Sequence, residues 1–138
     1  MMISIRNAEA GDLDSLRRIY LEASDTVETQ QEDYWRDLLS VGGVLVAVDE
    51  HQVIGFGTIE VQAAEQIKHI YVAPGFQKAG VGSEILKQLE DLARAHGLQS
   101  LVLHANPAAV AFYSRAGYNP IASSIRHDHE GVEMMKLL

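Results

Sequence analysis

Residues Gln77-Lys78-Ala79-Gly80-Val81-Gly82 are the part of the chain whose types and spacing best suit holding an anion. The apolar run Ile67 to Val72 precedes them and reads as a strand; Val81 to His96 follows and reads as a helix. A glycine-rich turn at such a junction presents backbone N–H groups that no helical carbonyl takes up, at the positive end of the helix. Phosphate fits that arrangement. Two familiar phosphate loops do not match. Gly75 and Gly80 have the spacing of a Walker-type loop, but Val81-Gly82 stand where Lys and Ser or Thr are required. A dinucleotide loop needs a third glycine after Gly80 and Gly82, and Glu84-Ile85 occupy that stretch. A plain strand-to-helix turn, with glycines for tight geometry alone, stays open at this point.

The elements that must position this turn can be read along the chain. Ile3 and Ile5 alternate with Ser4 and Arg6 as in a short strand. Asp12 suits the N-cap of a helix from Leu13 to Ala23, whose apolar stripe is Leu13, Leu16, Ile19, Tyr20 and Ala23. Thr29-Gln30-Gln31-Glu32 reads as a capping box opening a second helix to Leu39, ended by Gly42-Gly43. Val44–Val48 and Val53–Val61 read as strands joined by a turn at Asp49–Gln52, and Glu65–Val72 as the next strand, closed by Pro74-Gly75. Gly97 is the expected stop of the helix from Val81. Ser100–Ala105 reads as a buried strand, and Asn106-Pro107 as the cap and first residue of a helix to Arg115. Tyr118–Arg126 and Val132–Leu138 read as a terminal hairpin. This order predicts one α/β (α+β-like) domain over residues 1–138, with a mixed sheet flanked by helices. It does not alternate throughout, as a doubly wound nucleotide fold would.

Composition narrows the chemistry. The chain has 138 residues, no cysteine and a net charge of −8 at pH 7. Disulfides, thiolate metal ligands and a cysteine nucleophile are thereby excluded. Nucleic-acid readers carry a basic face, so no nucleic-acid partner is expected. An acidic surface weakly favours a cationic or amine ligand. No apolar run approaches the roughly 20 residues of a membrane span, and no signal peptide is visible; no membrane partner and a cytoplasmic address are expected. His127-Asp128-His129-Glu130 could suggest a metal, but the segment reads as a hairpin tip without a third and fourth ligand from elsewhere, so no metal is expected.

Gln-x-x-Gly-x-Gly after Tyr71-Val72-Ala73-Pro74 resembles the acetyl-CoA loop of the GNAT superfamily of N-acetyltransferases. Asn106, Ala109, Phe112-Tyr113 and Gly117-Tyr118 resemble the family's second block, and Ile5-Arg6 followed by Asp12-Leu13 its first strand and helix. The resemblance implies a mixed, mainly antiparallel sheet splayed at the cofactor strand, and acetyl transfer from acetyl-CoA to a primary amine by direct attack. It implies that Gln77, Lys78, Ala79, Gly80, Val81, Gly82 and Ser83 hold the pyrophosphate. The family often has glycine at the position of Lys78 and a basic residue at that of Ala79; here the base stands one step earlier. The backbone of Ile70, Tyr71 and Val72 would pair with the pantetheine arm and polarise the thioester carbonyl. Asn106, Ala109 and Phe112 would line the cofactor, and Tyr113 would protonate the departing thiolate. Three of these also suit a purely structural place: a helix cap at Asn106, core packing for Phe112 and Tyr113.

Acetyl transfer also needs a base, because an alkylamine with a pKa near 10.4 is mostly protonated at neutral pH. His69 lies on the cofactor strand, and Glu65, four residues earlier, would share its sheet face by alternation. Each alone also suits a structural histidine or a solvated glutamate, and water could relay the proton instead; Glu60 and Glu32 are weaker candidates. Tyr20, Tyr34 and Trp35, on the first two helices, fall where the family forms its acceptor wall, but a helix stripe is ordinarily core. The acceptor is expected to be a small-molecule or protein amine, and the family allows a homodimer. The alternative is a non-catalytic acetyl-CoA-binding sensor or regulatory module.

Overall fold

The structure is a computed structural model and describes residues 3–24, 32–40, 43–121 and 131–138. Strand β1 spans Ile3–Asn7 and leads through a 3-10 turn, Ala10–Asp12, into helix α1, Leu13–Ser24. Helix α2 is Glu32–Ser40, followed by β2 (Val44–Asp49), β3 (Gln52–Ile59), β4 (Ile67–Val72), helix α3 (Val81–Ala95) and β5 (Ser100–Ala105). A second 3-10 turn, Pro107–Ala109, opens helix α4 (Val110–Arg115); β6 (Asn119–Pro120) and β7 (Val132–Leu137) follow. The strands hydrogen-bond in the order β1-β2-β3-β4-β5-β7-β6. The pairs β1/β2, β2/β3, β5/β7 and β6/β7 are antiparallel, and β4 meets β5 in parallel with Ile67 opposite Leu103. The mixed sheet expected from the element order is therefore present, and it is mainly antiparallel as the resemblance implies. No helix among the described residues is long and apolar enough to cross a membrane.

The chain divides into two compact units, residues 1–59 with 69–89 and residues 60–68 with 90–138. In the first, α1 and α2 bury Leu16, Ile19, Trp35 and Leu38 with Val44, Val46, Val53 and Phe56 of β2 and β3. The turn into α1 is fixed by charge. The Arg6 guanidinium donates two hydrogen bonds to the Asp12 carboxylate at 2.8 and 3.0 Å, and the same carboxylate accepts the Glu9 N–H at 2.7 Å. Asp12 thus closes the 3-10 turn that Glu9 begins, instead of capping α1 alone. The Arg6 hydrogen bond outweighs burial and holds the Asp12 carboxyl below its ordinary range.

In the second unit Glu90 is buried, yet it accepts the Tyr118 hydroxyl at 2.9 Å and the Lys136 ammonium at 3.1 Å, which compensates its charge. Burial, then the Glu90 charge, pushes the Tyr118 phenol well above its ordinary value. Helix α3 ends at Ala95: Gly97, at φ 83°, bonds Arg94 and lets the Leu98 N–H reach the Ala93 carbonyl at 3.0 Å.

Some boundaries differ from the sequence reading. Strand β3 stops at Ile59 and β4 starts at Ile67, not at Val61 and Glu65. The Glu60 N–H bonds the Gln66 carbonyl at 2.8 Å and the Ala63 N–H turns back to Glu60, so a closed loop overrides the strand propensity of Val61. Pro107 opens a 3-10 turn before α4, and the strand expected over Tyr118–Arg126 is the short β6 within the described residues. The Thr29–Gln31 part of the capping box, Gly42 and the His127–Glu130 tip lie outside the described residues.

Candidate active site

The loop after β4 is built from turns with strict backbone demands. Pro74 and Gly75 form a turn in which the Phe76 N–H bonds the Ala73 carbonyl at 3.0 Å and Gly75 takes φ 93°. Lys78 adopts φ 67° and Gly80 φ 83°, both in the left-handed region. Lys78 thus stands in a conformation that glycine adopts without strain, which accounts for the glycine often found there in the resembled family. The Gly80 carbonyl accepts the Glu84 N–H at 3.0 Å. The amides of Val81, Gly82 and Ser83 therefore precede the first intrahelical bond of α3 and have no helical acceptor. Val81 buries its side chain, while Gln77, Lys78, Ala79, Gly80 and Ser83 are exposed.

Two glycines of β3 set where α3 begins. A Cβ at Gly57 would lie 2.5 Å from Ile85 Cγ2 and 2.9 Å from Leu89 Cδ1. A Cβ at Gly55 would lie 3.0 Å from the Tyr71 carbonyl oxygen and 3.2 Å from Ile85 Cδ1. Without side chains there, the first turns of α3 lie directly on the strand, and the phosphate-type turn comes with them.

Strand β4 presents two edges. The Tyr71 carbonyl is directed toward β3 at Gly55, and the Ala73 N–H bonds the Ile54 carbonyl at 2.8 Å. Alternation directs the N–H and carbonyl groups of Ile70 and Val72 to the opposite edge. There the Gln77 side chain donates to the Val72 carbonyl at 3.0 Å, tying the loop to the strand. Of the three residues expected to meet the cofactor through their backbone, Ile70 and Val72 thus aim their amides along this edge, while Tyr71 turns toward β3.

The Tyr71 side chain instead joins a cluster with Tyr20, Tyr34, Trp35, Phe56 and His69. Burial, then the neighbouring Tyr20, raises the Tyr71 phenol above its ordinary value. His69 sits among these rings, and its Nε2 lies 2.6 Å from the Tyr34 hydroxyl. The pairing of Tyr34 with His69 escapes the sequence reading because the two residues are 35 positions apart and Tyr34 reads as part of a core stripe. The only local hint is Tyr34-Trp35, adjacent aromatics on an amphipathic helix.

The second unit carries the remaining candidates. Asn106 caps its turn, its Oδ1 accepting the Ala109 N–H at 3.0 Å. Tyr113 is buried; its ring meets Phe112 at 5.1 Å and Tyr118 at 5.7 Å, and the Tyr118 N–H bonds its carbonyl at 3.0 Å. Glu65 occupies the bend before β4, so the alternation that would have placed it on the His69 face does not apply.

The family's sequence model, described as "Acetyltransferase (GNAT) family", matches residues 11–118, and the chain belongs to that family. The "Uncharacterized protein YyaT" of Bacillus subtilis (strain 168) is 24% identical over 113 residues, 81% of this chain and 76% of its own length. Among solved structures, Ard1 from Thermoplasma volcanium superposes with a TM-score of 0.84 at 20% identity, covering 100% of this chain and 99% of that one. The PaiA N-acetyltransferase from Thermoplasma acidophilum, in complex with coenzyme A, gives 0.79 at 18% identity, covering 100% of both chains. The fold is that of GNAT proteins.

Proposed function

We propose that this protein is an N-acetyltransferase that moves an acetyl group from acetyl-CoA to a primary amine by direct attack. The observation that carries the reading is the turn from Gln77 to Ser83: left-handed at Lys78 and Gly80, exposed from Gln77 to Gly80, and ending in the three amides that open α3. A diphosphate fits that donor set and the open space around Gly80, where a Cβ would meet nothing within 4 Å. The coenzyme A held by the Thermoplasma acidophilum protein, and the acetyl-CoA held by YncA of Salmonella typhimurium, agree with this choice of ligand.

In this reading the pyrophosphate rests on the amides of residues 77–83. The pantetheine arm lies along the edge of β4 that faces away from β3, where an N–H of Ile70 or Val72 donates to the thioester oxygen and stabilises the charge it gains. Asn106, Ala109 and Phe112 flank the arm. Tyr113 gives a proton to the departing thiolate, and His69 receives one from the acceptor, with Glu65 as the alternative base. The acceptor is a small-molecule or protein amine; the chain is similar in fold to 35% of the N-acetylglutamate synthase of Neisseria gonorrhoeae and to the ribosomal-protein-S18-alanine N-acetyltransferase of Escherichia coli, whose names carry an amino acid and a protein.

The test is a panel of primary amines with acetyl-CoA, read by the free thiol released. At least one amine is expected to release thiol and gain an acetyl group. Tyr113→Phe should then lower kcat by about 10²–10⁴-fold without changing acetyl-CoA affinity. Acetyl-CoA binding with no turnover of any amine would contradict transfer and favour a sensor.

A further inference from the structure

The contact between Tyr34 and His69 raises the question of which atom meets the acceptor's proton. The Tyr34 hydroxyl lies 2.6 Å from His69 Nε2, a short distance for an O–H···N bond. A phenol is the better donor of the two neutral groups and the imidazole nitrogen the better acceptor; with the phenol donating, its proton points at Nε2 and the other ring nitrogen carries the imidazole hydrogen. The Nε2 lone pair is then engaged, and an amine cannot reach it directly. A phenol oxygen that donates its proton can also accept one.

The rings around the pair hold this geometry. His69 faces Tyr20 of α1 at 5.9 Å, Tyr34 and Trp35 of α2 at 5.9 and 5.5 Å, Phe56 of β3 at 6.3 Å, and Tyr71 of its own strand at 6.0 Å. The titratable groups among these are the three phenols. Tyr34 stands edge-on to Trp35 at 5.2 Å and 83°. Both Tyr34 and His69 are only partly buried, so the pair reaches solvent.

We propose that Tyr34 and His69 form a proton relay in which the Tyr34 oxygen is the atom that meets the acceptor. This rests on the acetyl-transfer reading above. One N–H bond of the acceptor ammonium breaks and its proton bonds to the Tyr34 oxygen as the phenol proton passes to Nε2. The freed amine pair bonds to the thioester carbon, and the carbon–sulfur bond breaks with its electrons on sulfur. The second proton leaves the nitrogen of the adduct for solvent, and Tyr113, having given its proton to sulfur, takes one back from solvent. The His69 imidazolium returns its proton to solvent. No other co-reactant is needed.

Tyr34→Phe keeps the ring packing and removes only the hydroxyl. It should lower kcat/KM for ethylamine, which must lose a proton before attack, by about 10²–10⁴-fold. With 2,2,2-trifluoroethylamine, already unprotonated at neutral pH, the loss should be under about tenfold. A ligand-free readout stands beside the kinetics: 15N NMR of the His69 imidazole in the unmodified protein. The relay predicts a proton on Nδ1 and an accepting Nε2, with the Nε2 signal moving in Tyr34→Phe. Equal losses for both amines, no loss at all, or a proton on Nε2 would overturn it. A parent inactive toward every amine would overturn acetyl transfer and the relay together; an active parent with an unimpaired Tyr34→Phe variant would overturn the relay alone.

Discussion

Replacing Gly57 by alanine should test whether the seat of α3 on β3 sets the cofactor loop. The new methyl would meet Ile85 Cγ2 at 2.5 Å and Leu89 Cδ1 at 2.9 Å. Carbon atoms pack at about 3.5–4.0 Å, so these neighbours must retreat by roughly 1.0 and 0.6 Å or more. Ile85 and Leu89 are both 0% exposed and have no solvent to swing into, so the helix itself must give. Overpacking of this kind costs about 1–3 kcal/mol. Urea denaturation should show a lower midpoint with an unchanged slope. Because the loop runs directly into α3, calorimetric titration should show weaker acetyl-CoA binding as well. Gly11→Ala is the control: a Cβ there meets nothing within 4 Å, and stability should stay within about 0.5 kcal/mol of the parent. A Gly57→Ala protein as stable as its parent would refute the close seat. A destabilised one with unchanged acetyl-CoA affinity would refute the idea that the seat positions the loop.

Lys78→Gly should relieve a left-handed residue that costs about 1–2 kcal/mol, offset by about 0.5–1 kcal/mol of glycine entropy. A thermal melt should show equal or slightly higher stability; a clear loss would mean that the lysine side chain, not the turn, holds the loop. Tyr118 sets an alkaline limit. Its folded phenol is raised above the ordinary value of 10.0, so its contribution is fully present below pH 10 and is lost as pH rises beyond that, where only the unfolded phenol ionises. Tyr118→Phe should cost about 1–3 kcal/mol at pH 7, by leaving Glu90 short of a donor, and should flatten the decline above pH 10. Denaturant titrations at both pH values would show this, and an unchanged alkaline decline would contradict it.

The sequence made the loop and the end of α3 legible because Gly75 and Gly80 in the one and Gly97 at the other mark backbone conformations that only a few residue types adopt, and each has a positive φ. Asn106 was legible as a cap for the same local reason. Strand ends at Ile59 and Ile67 were not, since the closure between Glu60 and Gln66 competes with the propensity of Val61 and is invisible to alternation. The Tyr34–His69 pair was beyond reach for a different reason: a contact across 35 residues depends on how α2 packs on the sheet. The roles of Gly55 and Gly57 likewise come from α3 on the other side of the chain reversal.

The central claim is that main-chain donors at the start of α3 and on the edge of β4 facing away from β3 hold acetyl-CoA. Titrating acetyl-CoA into 15N-labelled protein and following the backbone amides tests it most directly. The account predicts saturable shifts at residues 77–83 and at Ile70 and Val72. Amides there that stay unmoved at millimolar acetyl-CoA, or shifts confined to other surfaces, would contradict it.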